Sequence, residues 1–169
     1  MSKIVTRAGW KARPPGATTP RSLNQIQGVC YHHSAGEQPS RFKTGAAVVR
    51  GLQAYHMDSR GYADIAYNAL IGPAGQIYAG RNIAALGAHS DGEWQGASAN
   101  RVLLGICFLG DFTGRNRLTP KAQDAALTLE YLWSMKLGRP LAFATHRETK
   151  ATACPGDDVQ AWIDRRRVS

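Results

Sequence analysis

The sequence predicts a single mixed α/β domain, one central β-sheet with helices packed over its faces. Three observations carry this expectation. Apolar runs of strand length alternate with stretches of helical period. Their order reads strand, helix, hairpin, strand, helix, strand, helix, which calls for one sheet covered by helices. A chain of 169 residues with 43% apolar content can bury one core, and it carries no repeat of solenoid period and no low-complexity linker.

The elements follow in order. Residues 1–27 read as an N-terminal segment packing on the domain, and residues 28–165 as its core. Within that segment "ARPPGATTPRS" is rich in Pro, Gly and Thr and reads as an extended surface connection. "IQGVCYHHS" reads as a buried strand. "TGAAVVRGLQAYHMDS" places Val48, Val49, Leu52, Tyr55 and His56 on one helical stripe, and Gly61 closes the region. His56 on that stripe reads as a packing histidine. In "IAYNALIGPAGQIYAGR" two apolar runs flank Gly72-Pro73-Ala74-Gly75, the pattern of a hairpin with a loop longer than two residues. A Gly-rich loop, "ALGAHSDGEWQGASAN", follows. "VLLGICFLGDF" is continuously apolar and suits a central strand. "LTPKAQDAALTLEYLWSMKLG" is the clearest helix, with Thr119 as N-cap, Pro120 at the first turn and Gly138 just past the end. "LAFATH" reads as the last strand and "DDVQAWIDRRR" as a C-terminal helix.

Composition narrows the function. No apolar run approaches the ~20 residues that span a bilayer. The start, "MSKIVTRAGWKARPPG", has charges but no apolar h-region, so no signal peptide is expected and the cytoplasm is the expected place of synthesis. Three cysteines, Cys30, Cys107 and Cys154, are too few and too scattered for a disulfide framework. Cys30 and Cys107 lie in apolar runs and read as buried thiols. Cys154 lies in the polar loop "TACPGDD", where packing explains less. The net charge of +9 points to an anionic partner. No basic stripe with interleaved aromatics appears, so nucleic acid is not expected. The run "DRRRVS" reads as a solvated helix end.

Five histidines are available: His32, His33, His56, His89 and His146. Imidazole and thiolate suit borderline-soft divalent metals. His146 ends a predicted strand, and Cys154 lies in the loop eight residues on, which is long enough to fold back. His32 and His33 end another predicted strand. Two such ends could supply three ligands and leave a position open, the pattern of catalytic zinc. Side chains alternate along a strand, so His32 and His33 should part to opposite faces. The flanking pattern Val29-Cys30-Tyr31 is apolar on both faces and leaves open which of the two would be the ligand.

The motifs "VCYHHSAG", "DIAYNALIGPAGQIYAGR", "GAH", "LGICFLGDF" and "HRETKATACPGD" together resemble the zinc-dependent N-acetylmuramoyl-L-alanine amidases of type 2. That family includes peptidoglycan recognition proteins and amidase-type phage lysozymes. The resemblance runs from about Val5 to Trp162, and "RAGWKARPP" resembles the start of the recognition-protein branch. It implies a recognition-protein-like fold and one zinc ion on His32, His146 and Cys154. It implies catalytic roles for Tyr67 and Thr152, both aimed at the developing oxyanion or the bound water. It implies substrate contacts from His33, His89, Asn100 and Arg81. The implied reaction is hydrolysis of the amide between N-acetylmuramic acid and L-alanine in peptidoglycan. The implied setting is a monomeric phage endolysin, held in the cytoplasm of the producing or infected cell and acting on the wall after release, or an intracellular wall-recycling enzyme. Two other readings share the fold: a peptidoglycan-binding module without catalysis, and a basic nucleic-acid or polymerase-binding protein. Cys154 argues against the first, because members that only bind usually lack it. After Gly80-Arg81 the pair Asn82-Ile83 matches neither Gly-Trp nor Asn-Phe, the pairs associated with the third stem residue.

Overall fold

A computed structural model describes residues 3–40 and 43–168. Among these, the strands are β1 (Ile4–Val5), β2 (Gly28–His33), β3 (Ala69–Ile71), β4 (Ile77–Ala79), β5 (Glu93–Trp94), β6 (Ala97–Ser98), β7 (Leu103–Phe108) and β8 (Ala142–Thr145). The helices are α1 (Gly45–Ala54), α2 (Ala99–Val102), α3 (Pro120–Leu137), α4 (His146–Thr149) and α5 (Asp157–Arg167). Six strands form one sheet in the order β1-β4-β3-β7-β2-β8, and β5 and β6 form a separate ribbon. β2 lies between β7 and β8 and is parallel to both. β3 and β4 are the antiparallel hairpin. The mixed α/β expectation therefore holds, and β2, α1, the β3–β4 hairpin, β7, α3, β8 and α5 follow in the expected order.

β2 and β7 are buried along their whole length because both faces of the sheet are covered. One face carries Val29, Tyr31, Leu104, Ile106 and Phe108 against α3 and α5, through Ala125, Leu129, Trp162 and Ile163. The other carries Leu70 and Cys107 against Val48 and Val49 of α1. The caps of α3 are those the sequence predicts: the Thr119 hydroxyl accepts from the Ala122 N–H at 3.1 Å, and Gly138 takes φ 68°.

Three local features differ from expectation. Residues 4–5 form a strand, parallel to β4, within what reads as an extended N-terminal segment. Trp10 beyond it is fully buried and donates its indole N–H to the Ala79 carbonyl at 2.8 Å. The Gly-rich loop contains the β5–β6 ribbon. Tyr55 leaves the stripe expected of α1: the inward side is Val49, Gln53 and His56, and Tyr55 is 51% exposed. The helix also widens to a π-turn over Tyr55–Ser59, which changes the angular step between side chains. His56 is buried there, stacks on Tyr62 and accepts the Ala66 N–H at 3.2 Å, so it packs as expected.

Candidate metal centre

Strand alternation separates the two histidines of β2. His32 shares the α1 side with Cys107, its register neighbour on β7. His33 shares the other side with Phe108 and Phe112. Its Nδ1 accepts the Phe112 N–H at 3.2 Å and lies 3.9 Å from Asp111. The His33 ring is thus buried under the Asp111–Phe112 turn.

β8 ends beside β2 and delivers His146 as the first residue of α4. A reciprocal cap fixes this turn: Glu148 accepts the Thr145 N–H at 2.7 Å. The following loop is folded back by Arg147, which donates to the Ala153 carbonyl at 2.9 Å and pairs with Asp157 at 2.7 Å. Thr152 accepts the Cys154 N–H at 3.2 Å, bending the chain just before the thiol. Cys154 Sγ then sits 3.4 Å from the His33 N–H and 3.7 Å from His32 Nδ1. The His32 and His146 ring centroids are 4.5 Å apart. One donor atom from each of His32, His146 and Cys154 lies within 4.8 Å of the others.

Several groups in this cluster lack ordinary satisfaction. Both ring nitrogens of His146 are buried without a hydrogen-bond partner. A buried imidazole left so is costly unless something accepts its lone pair. Burial pushes the His146 pKa down to about 4, with Lys150 adding to it, and that of His32 well below the usual range. Both rings are thus neutral, the form that binds metal. Burial pushes the Cys154 thiol up to about 12, against a partial offset from the His33 N–H and Arg147. An anion there needs a cation bound directly to sulfur. Two neutral imidazoles and one thiol with an orphaned ring fit zinc.

His32 also belongs to a second triple with Cys30 and His89. All three members are buried, and His32 Nε2 already lies 3.0 Å from His89 Nδ1 in a hydrogen bond. The triple with His146 and Cys154 is the one with partly exposed members.

Tyr67 packs beside His32, with ring centroids 5.2 Å apart. Burial, then the Cys107 and Cys154 sulfurs, raise its phenol well above the usual range, so it stays a proton donor. Cys107, read from the sequence only as a buried thiol in "LGICFLGDF", lies against the Tyr67 phenol. Asn100 on α2 accepts the backbone N–H groups of His89 and Ser90 at 2.8 and 2.9 Å. Its amide oxygen therefore shapes the loop, although Asn100, His89 and His146 line one open cavity of about 460 Å³ with Arg60, Tyr62 and Lys150. Arg81 is buried and donates to the carbonyls of Ile65, Leu86 and Asp64 at 2.9, 3.2 and 3.0 Å. Its guanidinium is thus spent on backbone. A second concavity of about 300 Å³ lies beyond His33, lined by Ser34, Glu37, Lys43, Leu52 and the exposed Tyr55.

Comparison with known proteins agrees with this geometry. The family described as N-acetylmuramoyl-L-alanine amidase matches residues 22–157. Peptidoglycan-recognition protein SC1a/b of Drosophila simulans is 35% identical over 166 residues, covering 94% of this chain and 85% of the relative. Peptidoglycan recognition protein 1 of Bos taurus is 31% identical, covering 98% of this chain and 86% of that one. Among solved structures, peptidoglycan recognition protein-LE in complex with tracheal cytotoxin, a monomeric diaminopimelic acid-type peptidoglycan, is 30% identical. It superposes with a TM-score of 0.85 over 98% of this chain and 94% of that one. Drosophila peptidoglycan recognition protein SD gives a TM-score of 0.85 at 31% identity. The chain belongs to the N-acetylmuramoyl-L-alanine amidase family, in which peptidoglycan recognition proteins are its relatives.

Proposed function

We propose that this chain is a zinc-dependent amidase that cuts peptidoglycan between N-acetylmuramic acid and L-alanine. The convergence of His32, His146 and Cys154 around an imidazole with no other partner is the observation that supports it most. Zinc bound there would supply a Lewis acid and lower the pKa of the water it holds.

The protein's own groups divide the remaining work. His32 and His146 stay neutral because they are buried, so each offers a lone pair. Cys154 releases its thiol proton on binding metal and receives a backbone N–H from His33 in return. Tyr67 keeps its phenolic proton and donates it in a hydrogen bond to the substrate carbonyl oxygen as negative charge develops. Thr152 fixes the Cys154 backbone and offers its own O–H to the same oxygen. The cavity that His89 and His146 line, and the one that Tyr55 lines, are the places offered to the substrate. The relatives' names favour a second reading, recognition of peptidoglycan without cleavage.

The setting belongs to the same proposal: an endolysin kept from its wall until release, with the +9 charge drawing it to an anionic polymer. Cys154→Ser separates the readings. The variant should still sediment with insoluble peptidoglycan while zinc uptake and turnover are lost together. Wild type that sediments with peptidoglycan but never cuts it identifies a recognition protein instead.

A further inference from the structure

The ring nitrogens of His89 meet His32 and the Leu103 carbonyl, and much of its surroundings exists to place it. Gly105 on β7 leaves room for the ring: a Cβ there would lie 2.7 Å from its Cγ and Cδ2. Gly87 does the same from the other side, at 2.9 Å from Cδ2. Asn100 pins the backbone of His89 with its side-chain oxygen. The ring is thereby held between two acceptor–donor demands. His89 Nε2 lies 3.2 Å from the Leu103 carbonyl, and His89 Nδ1 lies 3.0 Å from His32 Nε2.

Those two distances fix the protons. A carbonyl oxygen only accepts, so His89 Nε2 must carry the hydrogen. In a neutral ring, which its burial favours, Nδ1 is then an acceptor. His32 Nε2 must therefore donate to it. A neutral His32 with its hydrogen on Nε2 has its lone pair on Nδ1, the atom 3.7 Å from Cys154 Sγ. The chain of bonds runs from a strand carbonyl through two imidazoles to the metal-facing atom.

We propose that His89 is a positioning residue that locks His32 in the Nε2–H tautomer and so aims the Nδ1 lone pair at the metal pocket. This inference rests on the zinc reading above, and it assigns to "GAH" and to Gly105 a role in metal affinity rather than in substrate contact. A ligand histidine commonly gives its second N–H to a carboxylate or carbonyl. Here a second imidazole relays that demand from the Leu103 carbonyl.

The test has two arms. In metal-free protein, nitrogen-15 NMR of the histidine rings should show His32 protonated on Nε2. His89→Gln should keep that tautomer, because an amide can accept from His32 and donate to Leu103. His89→Leu should lose it. Zinc affinity, read by competition with a chromophoric chelator, should fall roughly 10–100-fold in His89→Leu and largely recover in His89→Gln. Protonation of His32 on Nδ1 in wild type overturns the proposal, and so does an unchanged zinc affinity in a folded His89→Leu. If His89→Leu does not fold, the wild-type tautomer and the His89→Gln affinity decide. Wild type that takes up no zinc refutes the metal reading itself, while the tautomer still decides the hydrogen-bond chain.

Discussion

Buried imidazoles dominate the residue scale. His56 is held at a pKa of about 4 and His89 at about 3, each chiefly by burial. Their ordinary value is 6.5, so the unfolded chain takes up these protons first as pH falls. Stability is therefore complete above about pH 6.5 and declines as pH drops towards about 4. Chelator-treated protein should show a melting temperature that falls steadily from about pH 7 to about pH 5. His56→Gln should soften that fall, because one of the buried titrating rings is gone. A melting temperature independent of pH over this range would contradict the assignment of neutral rings. At this scale the sequence said much about His32, His146 and Cys154, through their places at strand ends and in one loop. It offered His89 only as a substrate contact, through the resemblance, and did not show its bond to His32. A loop histidine carries no period, and its partner lies 57 positions away in the chain.

At the scale of elements, legibility followed length. The strands of six residues were readable as unbroken runs of strand length, and the 18-residue helix from its length and its caps. The two-residue strands β1, β5 and β6 were not, since two residues cannot display alternation. Tyr55 was misplaced for a related reason: an apolar ring at the edge of a helical stripe satisfies the pattern without being inside. The burial of His33 and Arg81 was not legible, because a motif reports which residues recur together and not where their polar atoms point. The fit of β7 against the loop bearing His89 gives a sharper expectation. Gly105→Ala forces a methyl group into the imidazole, and such overpacking costs about 1–3 kcal/mol. The melting temperature should drop by a few degrees, and zinc affinity should fall with it. An alanine accepted at no cost in either measurement would show that the ring has room to move.

For the whole molecule, the sheet brings together what the sequence separates. β8 and β2 run parallel side by side, so His146 and His32 emerge near the same end of the sheet. Ligand sites lie outside the carboxyl ends of strands in many open α/β sheets, and the candidate metal centre stands at such ends. The charge of +9 acts at the same scale. Attraction between a basic surface and an anionic wall polymer is screened within about 8 Å at physiological ionic strength and within about 3 Å at 1 M salt. Sedimentation with peptidoglycan should therefore weaken markedly as salt is raised, and a salt-independent interaction would remove charge from the account. The central claim concerns which bond is cut. Mass spectrometry of purified peptidoglycan after digestion, with and without a chelator, tests it most directly. The account predicts free stem peptides beginning at L-alanine, formed only when the chelator is absent. Release of disaccharides with the lactyl–peptide bond intact, or the same products in the presence of chelator, would contradict it.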